Sequence, residues 1–137
     1  MAEVWVGGRA KGLSPGVVRR VVSTVLRRER READVSVSFL GPLVMRRLNL
    51  EFRGRDQPTD VLAFPLQAGR RLAGDIYICP AVARQQARRL GIRPHDELLR
   101  LVVHGTLHVL GYEHPEDASR EASPMWRRQE RHLEALA

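Results

Sequence analysis

Pro94-His95-Asp96-Glu97-Leu98-Leu99-Arg100-Leu101-Val102-Val103-His104-Gly105-Thr106-Leu107-His108-Val109-Leu110-Gly111 reads as one helix that is apolar nearly all round. Proline at the first helical position has no donor to leave unsatisfied, and Asp96 and Glu97 in the first turn suit the positive end of the helix dipole. Gly111 fits the left-handed position just past the end. A helix so uniformly apolar is buried on most sides, so the rest of the chain must pack around it. It carries His104 and His108 four residues apart, on one face and about one turn from each other.

Working outward, Pro80 opens a helix presenting Ala83, Ala87 and Leu90 and stopping at Gly91. Val61 to Leu66 and Leu72 to Ile78 read as strands joined around Gly69 in a hairpin. Gly41-Pro42 opens a helix through Leu43, Val44, Leu48 and Phe52, succeeded by a polar, turn-rich stretch from Arg53 to Pro58. Asp34 to Leu40 alternates as a half-buried strand. Ser14-Pro15 caps a helix whose valines recur at helical spacing and which should end near Arg31. Glu3 to Val6 is a short strand. A last helix runs from Pro124 to Leu136, with Met125 and Trp126 read as core rather than as a platform for bases. The expected fold is α+β: a mixed β-sheet of about four strands packed with helices, in one domain spanning 1–137, with the histidine-bearing helix central.

The bulk composition agrees with one ordinary core. The 137 residues are 43% hydrophobic and contain no apolar run long enough to span a membrane. The start of the chain lacks a secretory pattern, and the single cysteine, Cys79, has no partner for an internal disulfide, which points to the cytoplasm. The net charge is +7, and Lys11 is the only lysine among the basic residues. So much arginine suits a nucleic-acid partner, since a guanidinium grips phosphate with two parallel bonds. The same excess also arises wherever a GC-rich genome supplies solvated cations.

His114 comes three residues after Gly111, so the chain can turn back and bring a third imidazole to His104 and His108. Two unpartnered imidazoles on a buried helix would be costly, and one metal ion satisfies both. Zinc in a catalytic site usually takes three protein ligands and keeps a position for water, whose proton it makes labile near neutral pH. One zinc ion per chain is therefore expected on His104, His108 and His114. Nickel and cobalt accept the same ligands. His95 and His132 have no such company and read as surface residues. The spacing matches the long zinc-protease motif H-E-x-x-H-x-x-G-x-x-H, except that Gly105 stands where the protease has its glutamate base, which counts against proteolysis.

The run from His104 to His114 also resembles the YbeY family of bacterial endoribonucleases, or ribosomal RNA maturation factors, whose pattern is H-G-x-L-H-x-x-G-Y-D-H. The block from Arg53 to Pro65 is similar to the family's R-x-x-D-x-x-T-D-V-L-S-F-P, and Gly74-Asp75-Ile76-Tyr77-Ile78 lies at the expected distance beyond it. The resemblance covers the chain from about Leu48-Asn49 to the last helix. Glu113 replaces the usual aspartate and Ala63 the usual serine.

What the resemblance implies is a zinc-dependent, single-strand-specific endoribonuclease. It would act in rRNA maturation, at the 3′ end of 16S rRNA, with the small ribosomal subunit or its assembly factors as partners. The metal ligands would be His104, His108 and His114, and the catalytic residues Arg53 and, through the ion it holds, His108. An arginine is physically suited to the extra charge of a phosphodiester transition state, though Arg53 also reads as a solvated residue of a polar loop. Asp60 and Asp75 could each orient an imidazole, or Asp60 could close the turn before its strand. Two other functions stay open. One is a non-catalytic assembly factor with a structural metal, which ligation by Cys79 would favour. The other is a zinc hydrolase of another substrate, perhaps peptide.

Overall fold

The computed structural model describes residues 3–68, 71–115, 117 and 119–136. In chain order these form β1 (Val4–Gly7), α1 (Pro15–Arg28), β2 (Ala33–Phe39), α2 (Pro42–Arg53), β3 (Val61–Ala68), β4 (Arg71–Ile78), α3 (Pro80–Leu90), α4 (Pro94–Val109), a short 3-10 turn (Arg120–Ala122) and α5 (Pro124–Leu136). The α+β expectation holds, with four strands in one mixed sheet. Their order is β1-β2-β4-β3; β1, β2 and β4 run parallel, and β3 is antiparallel at the edge. The hairpin pairing is present up to Ala68 opposite Arg71, while the turn at Gly69 lies outside the described residues.

Alternation decides the faces of β2: Ala33, Val35, Val37 and Phe39 point into the core, and Asp34, Ser36 and Ser38 do not. α1 closes over that face with Val18, Val21, Val22, Val25 and Leu26, and ends at Arg28 rather than near Arg31. The reason is Arg30, whose φ of 55° is left-handed and cannot continue a helix.

α4 is the hub, in contact with α1, α3, α5 and strands β2, β3 and β4. Two glycines let it lie close on the sheet. A Cβ at Gly105 would stand 2.6 Å from Ile76 Cγ2, and one at Gly74 would collide with the Val109 side chain. So the glutamate of the protease motif has no room at position 105, which faces the sheet and not a substrate.

Candidate metal centre and its cleft

α4 fixes His104 and His108 on one face, and the turn after it supplies His114. Gly111, at φ 98°, reverses the chain, and the Tyr112 N–H bonds back to the Leu107 carbonyl at 3.1 Å. The Tyr112 hydroxyl donates to Glu29 Oε1 at 2.7 Å, which ties the returning loop to the end of α1. His114 is thus led back to the helix face it left.

The three imidazoles converge through one kind of nitrogen. Nε2 of His104 lies 3.0 Å from Nε2 of His108 and 3.2 Å from Nε2 of His114. One ligand atom from each falls within 4.8 Å of the others, close enough to hold a metal ion. The other ring nitrogens turn outward to oxygen acceptors: His104 Nδ1 to Gln129 Oε1 at 2.6 Å, His114 Nδ1 to the Pro115 carbonyl at 2.9 Å, and His108 to the backbone of Tyr112. A proton held on each outward nitrogen leaves lone pairs on the inward ones. Three lone pairs facing one another call for a cation, and neutral imidazoles suit zinc.

Electrostatics keep His104 and His108 neutral. Burial, then repulsion from His108, pushes the His104 pKa down to about 3. Burial, then repulsion from His114, takes His108 down to about 4, with Arg53 contributing among the lesser causes. Among the described residues no thiol or carboxylate joins the histidine group. Cys79 is buried beside Met45 and Leu62 instead, which removes the ground for a structural site closed by cysteine.

The group opens onto a cleft of about 720 Å³ that Arg53, Arg55 and Arg120 also line. Arg53 is the last residue of α2, not part of the loop beyond it. Asn49, 1% exposed, shapes that loop by donating to the Gln57 carbonyl at 2.7 Å. Arg46 grips Asp56 through two bonds, at 2.6 and 3.0 Å. Asp60 lines the cleft too, but its carboxylate accepts from the Val61 N–H at 2.8 Å and the Thr59 hydroxyl at 3.2 Å, so it closes the turn. Asp75 accepts from the Ser36 hydroxyl at 2.7 Å. Neither aspartate is the partner of an imidazole here.

His132 corrects the expectation of a surface residue. It is only 3% exposed. Its Nε2 bonds Glu29 Oε2 at 2.7 Å and its Nδ1 accepts from Arg28 Nε at 3.2 Å. The cause is the face of α5 on which it lies: Met125, Gln129 and His132 form its buried stripe at helical spacing. That periodicity was the available signal for both Gln129 and His132. Nothing in the sequence singles out Arg120. Met125 is core as expected, and Trp126 and His95 are both half-buried.

Comparison with known proteins adds an independent finding. A family model described as Endoribonuclease YbeY matches residues 14–137. The match thus reaches well upstream of Leu48-Asn49. An Endoribonuclease YbeY of Thermotoga maritima is 33% identical over 119 residues, covering 87% of this chain and 78% of that protein. One of Chlorobium luteolum is 35% identical over 127 residues, covering 90% of each. A Thermotoga maritima protein whose structure was determined in solution aligns with a TM-score of 0.67 at 30% identity, over 97% of this chain and 88% of that one.

Proposed function

This chain belongs to the endoribonuclease YbeY family and is an RNA-cleaving hydrolase; on that basis we propose that it is a zinc-dependent, single-strand-specific endoribonuclease of rRNA maturation. Its domain, 1–137, would act in the cytoplasm on the 3′ end of 16S rRNA, beside the small ribosomal subunit or its assembly factors.

The observation that carries this reading is the convergence of three Nε2 atoms at the wall of an arginine-lined cleft. His104, His108 and His114 would hold the ion, which supplies Lewis acidity and an acidified water when bound. Gln129 and the backbone at Tyr112 and Pro115, by accepting the hydrogen bond of each outward N–H, would hold the rings with their inward nitrogens unprotonated. Arg53 would bind the scissile phosphate through its planar fork and stabilise the charge that builds on its oxygens. Gly105 brings no carboxylate and is closed off by Ile76, so the peptidase alternative lacks its base.

The test is cleavage of a single-stranded rRNA fragment by the wild type and by His108→Ala and Arg53→Ala variants purified identically, with the ends mapped. Wild-type cleavage should vanish in His108→Ala together with bound zinc. In Arg53→Ala it should fall about a hundredfold with zinc retained, the scale for losing one transition-state donor. Equal cleavage by all three would expose a contaminating nuclease and sink the assignment.

A further inference from the structure

A second cavity of about 230 Å³ adjoins the cleft and shares Asp60, Gln86, His104 and Arg120 with it. Glu97 and Arg100 of α4 and Trp126 and Gln129 of α5 complete the walls that matter. Glu97 is 3% exposed and Gln129 fully buried, yet Glu97 Oε2 and Gln129 Nε2 have no hydrogen-bond partner among the described residues. The same is true of Nε of Arg100 and of Arg120. Buried polar atoms left without a protein partner are costly, and their gathering around one cavity makes it a place for a polar occupant. Beside them stands the half-buried Trp126 indole. The guanidinium carbons of Arg100 and Arg120 lie over its ring, 6.0 and 5.7 Å from the centre, within the roughly 6 Å over which a cation is drawn to an indole face.

We propose that this cavity takes one unstacked nucleobase of the RNA strand whose phosphate lies in the cleft. The heterocycle would lie on Trp126, with its polar edge bonded by Glu97 and Gln129. Every base has a π-face for an indole and an edge carrying both donors and acceptors, and the cavity presents one acceptor and one amide donor to meet that edge. Its volume lies below the roughly 300–1,000 Å³ of sites for drug-sized ligands, which suits a single heterocycle. Gln129 also holds His104, so the base and the imidazole group meet at one side chain. A base can enter only when it is free of a duplex, which would make single-strandedness a requirement of binding. The inference rests on the endoribonuclease reading of the cleft, and its test is kept separate from cleavage.

The chain has two tryptophans, and the other, Trp5, is 53% exposed. In a full-length Trp5→Phe protein, indole fluorescence therefore reports on Trp126 alone. Titration with AMP, GMP, CMP and UMP should quench it saturably for at least one base, while ribose 5-phosphate should not. Glu97→Gln in that protein should weaken the preferred base about tenfold, the scale of one specific base contact. Absence of quenching, or equal quenching by ribose 5-phosphate, overturns the subsite and leaves a water-filled void or a phosphate site. These titrations in the Trp5→Phe protein stand even where Glu97→Gln fails to fold. RNA cleavage by the same Trp5→Phe protein separates the two ideas. Cleavage without quenching overturns the base subsite alone. Base-dependent quenching without cleavage upholds the subsite and removes the ribonuclease reading.

Discussion

Gln129 is the neutral partner of His104, and neutrality has a consequence. A carboxylate there would draw the proton and make the imidazole more basic; an amide oxygen fixes the ring and its tautomer without that pull. Gln129→Leu keeps the buried volume and removes the acceptor. Zinc affinity should then fall about 10- to 100-fold with the fold intact, read by competition with a chelator; unchanged affinity would free Gln129 of that role. The convergence of the histidines was legible because it rests on spacing, His104 and His108 on one helix face and His114 after a glycine turn. Gln129 was not, because a glutamine has no motif of its own. Only its place between Met125 and His132 betrayed it, and the arginines and Glu130 between them make that helix look solvated.

At the scale of elements, the helices were easy to place because each begins at a proline: Pro15, Pro42, Pro80, Pro94 and Pro124. What each packs against was hidden, since that depends on partners distant in sequence. Gly105 is the clearest instance. Gly105→Ala should destabilise the protein by about 1–3 kcal/mol through overpacking against Ile76, seen as a lower urea midpoint with the slope unchanged. No loss would mean that α4 can lift from the sheet.

Glu29 likewise joins elements, for it ties the end of α1 to α5 and to the loop bearing His114. Burial alone would raise its pKa, but hydrogen bonds from Tyr112, His132 and Arg128, with the charge of Arg128, outweigh it and hold it below the ordinary 4.5. The unfolded chain therefore takes up this proton first as pH falls. The stabilisation is complete above about 4.5 and is lost as pH drops through the lower folded value. Glu29→Gln should remove that part of the acid sensitivity, which denaturant midpoints at pH 6 and pH 3.5 would measure. An unaltered pH dependence would contradict the assignment.

For the whole molecule, alternation told which face of β2 is buried but not which strands are neighbours. The insertion of β4 between β2 and β3 is a matter of long-range pairing that no local pattern records. The net charge of +7 was equally mute by itself; the structure gives it a direction by bringing Arg53, Arg55 and Arg120 to one cleft. If these three contact phosphates, the logarithm of RNA affinity should fall with that of salt concentration with a slope of about −2, at about 0.7 per contact for single strands. Binding isotherms at several salt concentrations give the slope, and a flat response would mean that the cleft does not grip the RNA backbone.

The bond between His104 and Gln129 also sets an order in time. Translation delivers α4 before α5, and 25 positions separate the two residues. Until α5 has been made, Gln129 is not there to accept from His104, and α4 has no α5 to cover it. The imidazole group is completed only when the later helix docks. A polypeptide of an RNA-cleaving family is thus born on an RNA machine with its histidine group unfinished, and that group matures after the segment bearing Gln129 has emerged.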